Sequence, residues 1–242
     1  MAVKILITND DGIRSPALPE LVRFARRLGA VTVVAPKTEQ SGRSQAIDFF
    51  HPVEIKEVDL FPGAAAYAMA STPADCVRFG TVGLGVEYDL LISGVNCGYN
   101  LGEDIVYSGT IGAIFEGARS GTPGMAISAE AHTFLESLAH LEAIFNAFRE
   151  KDLFAHNLLY NVNIPPMVRG MRITRQGGIF YSDRFIKRGE DLYIQEGEPT
   201  GVRTDDLSVD IDAVREGYIS ITPLTHHRTA MDAFEKMRGI FE

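Results

Sequence analysis

Cysteines, basic residues and long apolar runs are all scarce in this sequence of 242 residues. Its two cysteines, Cys76 and Cys97, do not form a CxxC pair, so a disulfide scaffold is excluded and a structural zinc site is not supported. The longest apolar runs fall well short of the ~18–20 residues that span a bilayer. Residues 1–8 lack the basic start and cleavage site of a secretory signal. We therefore expect a cytoplasmic protein with two buried, reduced thiols and no membrane association.

Basic residues are outnumbered, with 23 Lys and Arg against 32 Asp and Glu, so the formal charge is −9. The excess lies in residues 51–150, which hold 4 basic and 13 acidic residues. A chain with this charge is not expected to bind duplex nucleic acid. Residues 169–188 differ, with six basic residues and the single acid Asp183. This segment is interpreted either as a solvated arm or as a place where a phosphorylated ligand binds.

Several familiar catalytic motifs are missing from the sequence. It has no GxxxxGK[ST] phosphate loop, no GxGxxG after its first predicted strand, no HExxH and no GxSxG. A phospho-aspartyl phosphatase needs a second aspartate two residues after the first, and Gly12 occupies that place after Asp10. P-loop NTPases, nicotinamide enzymes, zinc proteases and serine hydrolases are therefore unsupported.

The remaining pattern is that of an ordinary globular α/β protein, with 45% apolar and 23% charged residues. Apolar β-branched runs at 3–8 and 31–35 predict buried strands, and an apolar face between Leu18 and Leu28 predicts a helix between them. A strand–helix–strand start favours a right-handed crossover and a parallel sheet. Further strands are predicted at 52–58, 66–69, 88–93, 124–128 and 158–162, and further helices at 73–80, 108–119 and 133–150.

We therefore predict a Rossmann-like three-layer α/β/α fold with a mostly parallel central sheet, a C-terminal β-hairpin arm and a terminal helix. Residues 1–169 are predicted to form the Rossmann-like catalytic core. Residues 170–215 alternate short β-prone pieces with glycine and charge, which predicts a hairpin arm or a small subdomain. Residues 216–242 are predicted to return to the main body as a strand and to end in a helix over 229–241.

Three polar loops, at 9–12, 37–44 and 93–102, each follow a predicted strand. In an open parallel sheet such loops meet beyond the carboxyl ends of the strands. They carry four oxygen-bearing side chains: Asp10, Asp11, Ser41 and Asn96. Two carboxylates, a hydroxyl and an amide make an all-oxygen set that suits Mg²⁺, Mn²⁺ or Ca²⁺. All four residues are also frequent in turns, so a set of plain turns is the alternative.

The helix that begins at Ser108-Gly109-Thr110 is a candidate phosphate site. Free backbone N–H groups and the positive end of the helix dipole favour an anion there. Serine and threonine are also common N-caps, which is the simpler explanation of the same residues. A phosphate beside a divalent cation would use both features.

Taken together, these motifs resemble the SurE family, the stationary-phase survival protein E nucleotidases. The likeness covers nearly the whole chain. Its motifs, in chain order, are Asn9–Gly12, Ala35-Pro36, Ser41-Gly42, Thr72–Val77, Ser93–Asn100, Tyr107–Ala113, Glu116-Gly117, Asn161–Pro165, Thr204-Asp205 and Ile221–Leu224.

The resemblance implies a metal-dependent phosphomonoesterase that converts nucleoside 5′-monophosphates to nucleoside and phosphate. It extends this activity to 3′-monophosphates and, in some members, short polyphosphate. One divalent ion per subunit, Mg²⁺ or Mn²⁺ with Ca²⁺ as a further occupant, is implied at a site formed by Asp10, Asp11, Ser41 and Asn96. The resemblance also implies a homodimer or homotetramer with exchanged C-terminal elements, which would make residues 170–215 the segment that serves oligomerisation.

The expected mechanism is attack by a water molecule that the metal ion activates. Asp10, Asp11 and Asn9 are the expected catalytic residues. The expected phosphate contacts are Asn9, Asn96, Ser108, Gly109 and Thr110. The sequence does not separate a metal ligand from a general base among the two aspartates, and direct attack by Asp10 is a further alternative.

Other assignments remain open. A protein that binds nucleotide and metal for regulation without turnover is the competing function, and a scaffold whose loops are only turns is the third. Tyr99 and Tyr107 are expected either to stack on a base or to pack. Contacts from Arg184, Lys187 or Arg188 to the substrate are a further possibility.

Overall fold

The first strand lies near the middle of a nine-stranded sheet. The computed structural model describes residues 3–241. The strands are β1 (Val3–Thr8), β2 (Gly29–Pro36), β3 (Ile55–Glu57), β4 (Ala65–Met69), β5 (Leu90–Cys97), β6 (Gly124–Ala129), β7 (Leu159–Ile164), β8 (Gly170–Ile173), β9 (Tyr181–Lys187), β10 (Tyr193–Pro199) and β11 (Tyr218–Leu224). The main sheet has the order β3-β4-β2-β1-β5-β6-β7-β11-β8, and β9 and β10 form a separate hairpin.

Helices cover both faces of this sheet. They are α1 (Leu18–Ala25), α2 (Pro73–Arg78), α3 (Gly109–Ala118), α4 (Leu141–Glu150), α5 (Leu153–His156), α6 (Asp210–Arg215) and α7 (Met231–Met237). One apolar cluster contains the buried faces of α1 and α4, and a second contains those of α2 and α3. Each cluster also includes residues of the sheet, so the main sheet lies between two helical layers.

The sheet is mostly parallel, as its buried β-branched strands predicted. The five neighbouring strands from β2 to β7 pair in parallel, and β4 continues this pattern beside β2. Antiparallel pairs occur between β3 and β4 and between β7 and β11. The predicted Rossmann-like three-layer fold is therefore confirmed.

The segment predicted as an arm, 170–215, divides into three parts. Strand β8 lies in the main sheet beside β11, whereas β9 and β10 form the hairpin, and α6 follows as a short helix. A small apolar cluster lies at the base of the hairpin and includes Leu101, Phe180, Val209 and Ile211.

The predicted helix over 133–150 is shorter in the structure. A 3₁₀ turn occupies Glu136–His140, and only α4 is α-helical. The Ser137 hydroxyl donates to the Phe134 carbonyl at 2.5 Å, and Glu130 accepts the Thr133 N–H at 3.1 Å. Such local side-chain bonds stabilise a turn in competition with the α-helix.

The terminal helix is present as α7, over a shorter range than the predicted 229–241. None of its residues is buried, and Met231, Phe234 and Met237 are each about half exposed. Within residues 3–241, the helices are all too short or too polar to cross a bilayer.

Asp210 connects α6 to two loops. Its Oδ1 accepts the N–H groups of Gly177 and Ile211, both at 2.8 Å, and its Oδ2 accepts the Gly102 N–H at 2.9 Å. Burial raises the pKa of this carboxyl, and the backbone N–H groups oppose that rise. The carboxylate therefore fixes the loop after β5 to the base of the hairpin.

We expect Asp210→Ala to destabilise the protein by about 2–4 kcal/mol, because it leaves buried N–H groups without an acceptor. Thermal unfolding measures the effect, and Asp191→Ala, in the exposed hairpin turn, is the control. An Asp210→Ala protein with the parent's melting temperature would contradict this role.

Candidate active site

The turn after β1 holds two adjacent carboxylates, Asp10 and Asp11. The Asn9 carboxamide fixes this turn, because its Oδ1 accepts the Gly12 N–H at 3.1 Å and its Nδ2 donates to the Gly12 carbonyl at 3.0 Å. Gly12 has a φ of +98°, which glycine adopts without strain. Asn9 is fully buried, so its side chain supports the turn from the interior of the protein.

Asp10 is buried against the start of α3. Its Oδ1 accepts the Thr110 hydroxyl at 2.7 Å. A Cβ at Gly109 would lie 3.2 Å from Asp10 Oδ2, so the helix start closely approaches the carboxylate. Burial raises the pKa of Asp10, and hydrogen bonds from the Thr110 side chain and backbone oppose the rise. Thr110, predicted as a phosphate contact, thus also holds Asp10.

Asp11 is less buried and faces β5. Its Oδ2 accepts the Cys97 N–H at 3.3 Å. Burial and then the Asp10 carboxylate raise the pKa of Asp11 to about 6. Two neighbouring carboxylates in a poorly solvated turn therefore resist being charged together.

Ser41 and Asn96 are the two neutral oxygen donors of the predicted set. The Ser41 hydroxyl donates to Glu39 Oε1 at 2.7 Å, which leaves the lone pairs of its oxygen available. Asn96 Nδ2 donates to the Gly98 carbonyl at 2.8 Å, so the Asn96 amide oxygen is the atom left for a ligand. Glu39 was not predicted, although it is the only acidic residue of the loop 37–44.

One cavity of about 740 Å³ lies beside Asp10, Ser41 and Asn96, and its volume is within the usual range for small-molecule sites. Asp11 is not among its lining residues. Four predicted site residues line it: Asp10, Ser41, Asn96 and Ser108. Tyr99 and Tyr107 line it as well. Tyr181, Asp183 and Gln195 of the hairpin complete its wall.

The cavity is acidic. Its described lining includes three aspartates, Asp10, Asp104 and Asp183, and no lysine, arginine or histidine. A phosphate dianion would be repelled by such a wall unless a cation were present. The arrangement therefore suits an anionic ligand only together with a positive ion.

The predicted basic contacts lie elsewhere. Arg184 pairs with Glu198 at 2.9 Å and Arg188 pairs with Glu196 at 2.8 Å, across the hairpin. These two arginines and Lys187 do not line the cavity. Cys97, predicted to be buried, is exposed at the cavity wall, whereas Cys76 is buried as predicted.

The loop that carries Ser41 is fixed to α3 by close packing. Its Ser44 N–H donates to the Tyr107 carbonyl at 2.9 Å, and a Cβ at Gly112 would lie 2.1 Å from the Ser44 carbonyl oxygen. Gln45 donates to the buried Glu116 carboxylate at 3.0 Å, and Glu116 also pairs with Arg78 at 2.8 Å. Only a glycine at 112 allows this approach.

A network of buried asparagines fixes the loop after β5. The Asn100 carbonyl accepts N–H groups from Asn161 and Asn163, both at 2.8 Å, and the Asn100 N–H donates to Asn163 Oδ1 at 2.9 Å. Sequence reasoning assigned no role to this network. Its signal was a pair of amides two positions apart at the end of the strand predicted over 158–162, with Asn163 just beyond it. The observed strand β7 contains both residues, and this spacing places them on one face.

Comparisons with known proteins point to one family. The family model described as survival protein SurE matches residues 5–183. A 5′-nucleotidase SurE from Thermoanaerobacter sp. (strain X514) is 39% identical, with 92% of each chain covered. One from Desulforudis audaxviator is 36% identical, with 98% of this chain and 96% of that protein covered.

A solved structure gives the same result. The crystal structure of the SurE protein from Aquifex aeolicus matches with a TM-score of 0.82 and 32% identity, covering 99% of this chain and all of that one. The family resemblance predicted from the motifs is therefore confirmed.

The raised pKa of Asp11 predicts that its charged carboxylate destabilises the metal-free protein. A carboxyl whose folded-state pKa lies above its unfolded value contributes stability below about pH 4, and this contribution is lost as the pH rises through about 6. We expect Asp11→Asn in EDTA to be more stable than the parent at pH 7.5 by about 1–3 kcal/mol, at about 1.4 kcal/mol per pKa unit. Equal melting temperatures at pH 7.5 would be the contrary result.

The packing at Gly112 predicts a second outcome. We expect Gly112→Ala to push the loop 37–48 away from α3, with a loss of about 1–3 kcal/mol in stability. Limited trypsin digestion at Arg43 measures the loosening, and Gly239→Ala, which has open space around it, is the control. Unchanged cleavage at Arg43 would mean that the loop does not depend on this contact.

Proposed function

This chain belongs to the SurE family and is a 5′-nucleotidase, a phosphoric monoester hydrolase, and we propose that it hydrolyses nucleoside monophosphates with one divalent cation. The observation that supports a bound cation is the pair of adjacent carboxyls, Asp10 and Asp11. Both carboxyls have raised pKa values. Asp10 lines a cavity whose described lining has no positive side chain, and Asp11 accepts the N–H of Cys97 in the same lining.

The chemistry of the donors fits a hard divalent ion. Among residues 3–241, no three His, Cys, Asp or Glu side chains are grouped as a metal cluster. The proposed site therefore takes two carboxylates, Asp10 and Asp11, and completes them with the neutral oxygens of Ser41 and Asn96. All-oxygen sets of this kind favour Mg²⁺ or Mn²⁺, with Ca²⁺ as a further occupant.

When bound, such an ion supplies charge neutralisation at the phosphoryl group and lowers the pKa of water. The protein's own residues divide the remaining work. Thr110 holds Asp10, the Cys97 N–H holds Asp11, and the Asn9–Gly12 turn fixes the angle between the two carboxylates.

The phosphate is proposed to lie at the start of α3, near Ser108 and Gly109. The Ser108 Oγ accepts the Ile111 N–H at 3.1 Å, so this side chain caps the helix and keeps its dipole directed at the cavity. Asn96, which lines the cavity, remains a proposed polar contact at this end, and Asn9 is proposed to act by shaping the turn that carries Asp10 and Asp11. Either aspartate is a candidate general base, because a carboxylate can bind a cation or accept a proton.

The proposal includes 3′-monophosphates and short polyphosphate as further substrates. Attack at phosphorus would use the same cation and helix start whichever ester oxygen leaves. The cavity volume of about 740 Å³ is within the usual range for sites that bind small molecules of this class.

We also propose a cytoplasmic homo-oligomer, either a dimer or a tetramer, with exchanged C-terminal elements. The support is the exposed apolar surface of α7 and the projecting hairpin, where Phe185 is 71% exposed. Both cysteines are free, which agrees with a reducing compartment.

The proposal is tested by phosphate release from 5′- and 3′-nucleotides with metal-stripped protein, before and after addition of Mg²⁺ or Mn²⁺. We expect release only with the metal. We expect Asp10→Asn to lower kcat/KM at least about a hundredfold, the usual effect of losing a group that stabilises transition-state charge.

Asp59→Asn is the matched control, because it removes the same charge from an exposed loop outside the cavity. Asp10→Asn activity within tenfold of the parent would reject the metal assignment. Nucleotide binding without any phosphate release would favour the regulatory alternative.

A further inference from the structure

The hairpin presents two chemically different faces. Directly opposed residues share a face, so Tyr181, Asp183, Phe185 and Lys187 lie on one side and Ser182, Arg184 and Ile186 on the other. Tyr181, Asp183 and Gln195 of the first face line the active-site cavity. The second face carries the ion pairs of Arg184 and Arg188 with Glu196 and Glu198.

Asp183 is held at this wall by the residues around it. Asp104 Oδ2 accepts the N–H groups of Phe180 and Tyr181, both at 2.9 Å, and so fixes the beginning of β9 to the loop before α3. Opposite Asp183 stands Gly197, and a Cβ there would lie 2.9 Å from Asp183 Oδ1. The missing side chain leaves the space that the Asp183 carboxylate occupies.

The charge of Asp183 determines which part of a substrate can approach it. Within residues 3–241, no lysine or arginine forms an ion pair with it, in contrast to Glu196 and Glu198. A carboxylate repels phosphate but accepts hydrogen bonds from hydroxyl groups. The donors for the cation and the start of α3 occupy other parts of the same cavity, so the hairpin wall is left for the nucleoside.

We propose that Asp183 is a specificity residue that accepts hydrogen bonds from the ribose 2′- and 3′-hydroxyls of the substrate. Acidic side chains recognise ribose hydroxyls in this way in dinucleotide-binding folds. Gln195 lies diagonally across the hairpin on the same face, beside the proposed sugar site. This inference rests on the proposed function, and it assigns the sugar end of the substrate to the hairpin.

The test compares Asp183→Asn with the parent on 5′-AMP and on 2′,3′-dideoxy-AMP. We expect kcat/KM for 5′-AMP to fall about tenfold to a hundredfold, the range for losing a hydrogen bond to a charged group. We expect kcat/KM for the dideoxy substrate to stay within about twofold. Glu198→Gln is the control, because it removes the same charge from the opposite face of the hairpin.

Three outcomes would overturn the proposal. An equal fall in kcat/KM on both substrates would make Asp183 a structural residue. A rise in kcat/KM on both would mean that Asp183 faces the phosphate. The effect of Asp183→Asn on kcat/KM could instead depend on the base when AMP, GMP, CMP and UMP are compared, whichever sugar they carry. That result would assign Asp183 to base recognition.

Calorimetry with adenosine separates this inference from the proposed hydrolysis. Tighter binding of adenosine than of 2′,3′-dideoxyadenosine, abolished by Asp183→Asn in folded protein, would support the sugar contact even if no phosphate were released. Metal-dependent hydrolysis with no sugar preference in either assay would support the proposed function and reject the role of Asp183.

Discussion

The burial of two adjacent carboxylates, Asp10 and Asp11, is the constraint around which the site is built. Burial makes each carboxylate costly to charge, and the Asp10 carboxylate adds to that cost at Asp11. The surroundings oppose that cost only in part, through the Thr110 hydroxyl and the Cys97 N–H. The turn therefore retains a demand for positive charge, which a bound divalent ion would satisfy at a point where phosphate can reach it.

The parallel sheet makes this arrangement possible by bringing distant loops to one edge. The turn after β1 meets the loop after β2 through the Gln40 N–H, which donates to the Asp10 carbonyl at 2.7 Å. Gly112 brings that second loop against α3, and Asn161 and Asn163 fix the loop after β5. Backbone contacts and buried amides thus hold the loops that carry the oxygen donors.

Membership of the SurE family gives the class of reaction. The lining of the cavity supports the proposal that the phosphate and the nucleoside of a substrate bind at different walls. The proposed metal donors and the start of α3 belong to the core, whereas the outer wall of the cavity comes from the hairpin. The proposed chemistry and the proposed sugar contact therefore reside on different elements, the core and the hairpin. Under this proposal, changes in the hairpin alter the preferred substrate without disturbing Asp10 or Asp11.

The sequence by itself determined the layered fold, because hydrophobic periodicity and turn signals are local. It also predicted the four oxygen donors, because loops after parallel strands meet at one edge of the sheet. It also indicated the family from an ordered set of motifs. Only the tertiary structure decided that Thr110 binds Asp10, that Glu116 and Gly112 hold the Ser41 loop, and that Arg184 faces away from the cavity. Those contacts join residues 14 to 100 positions apart, and their geometry depends on packing that no local pattern records.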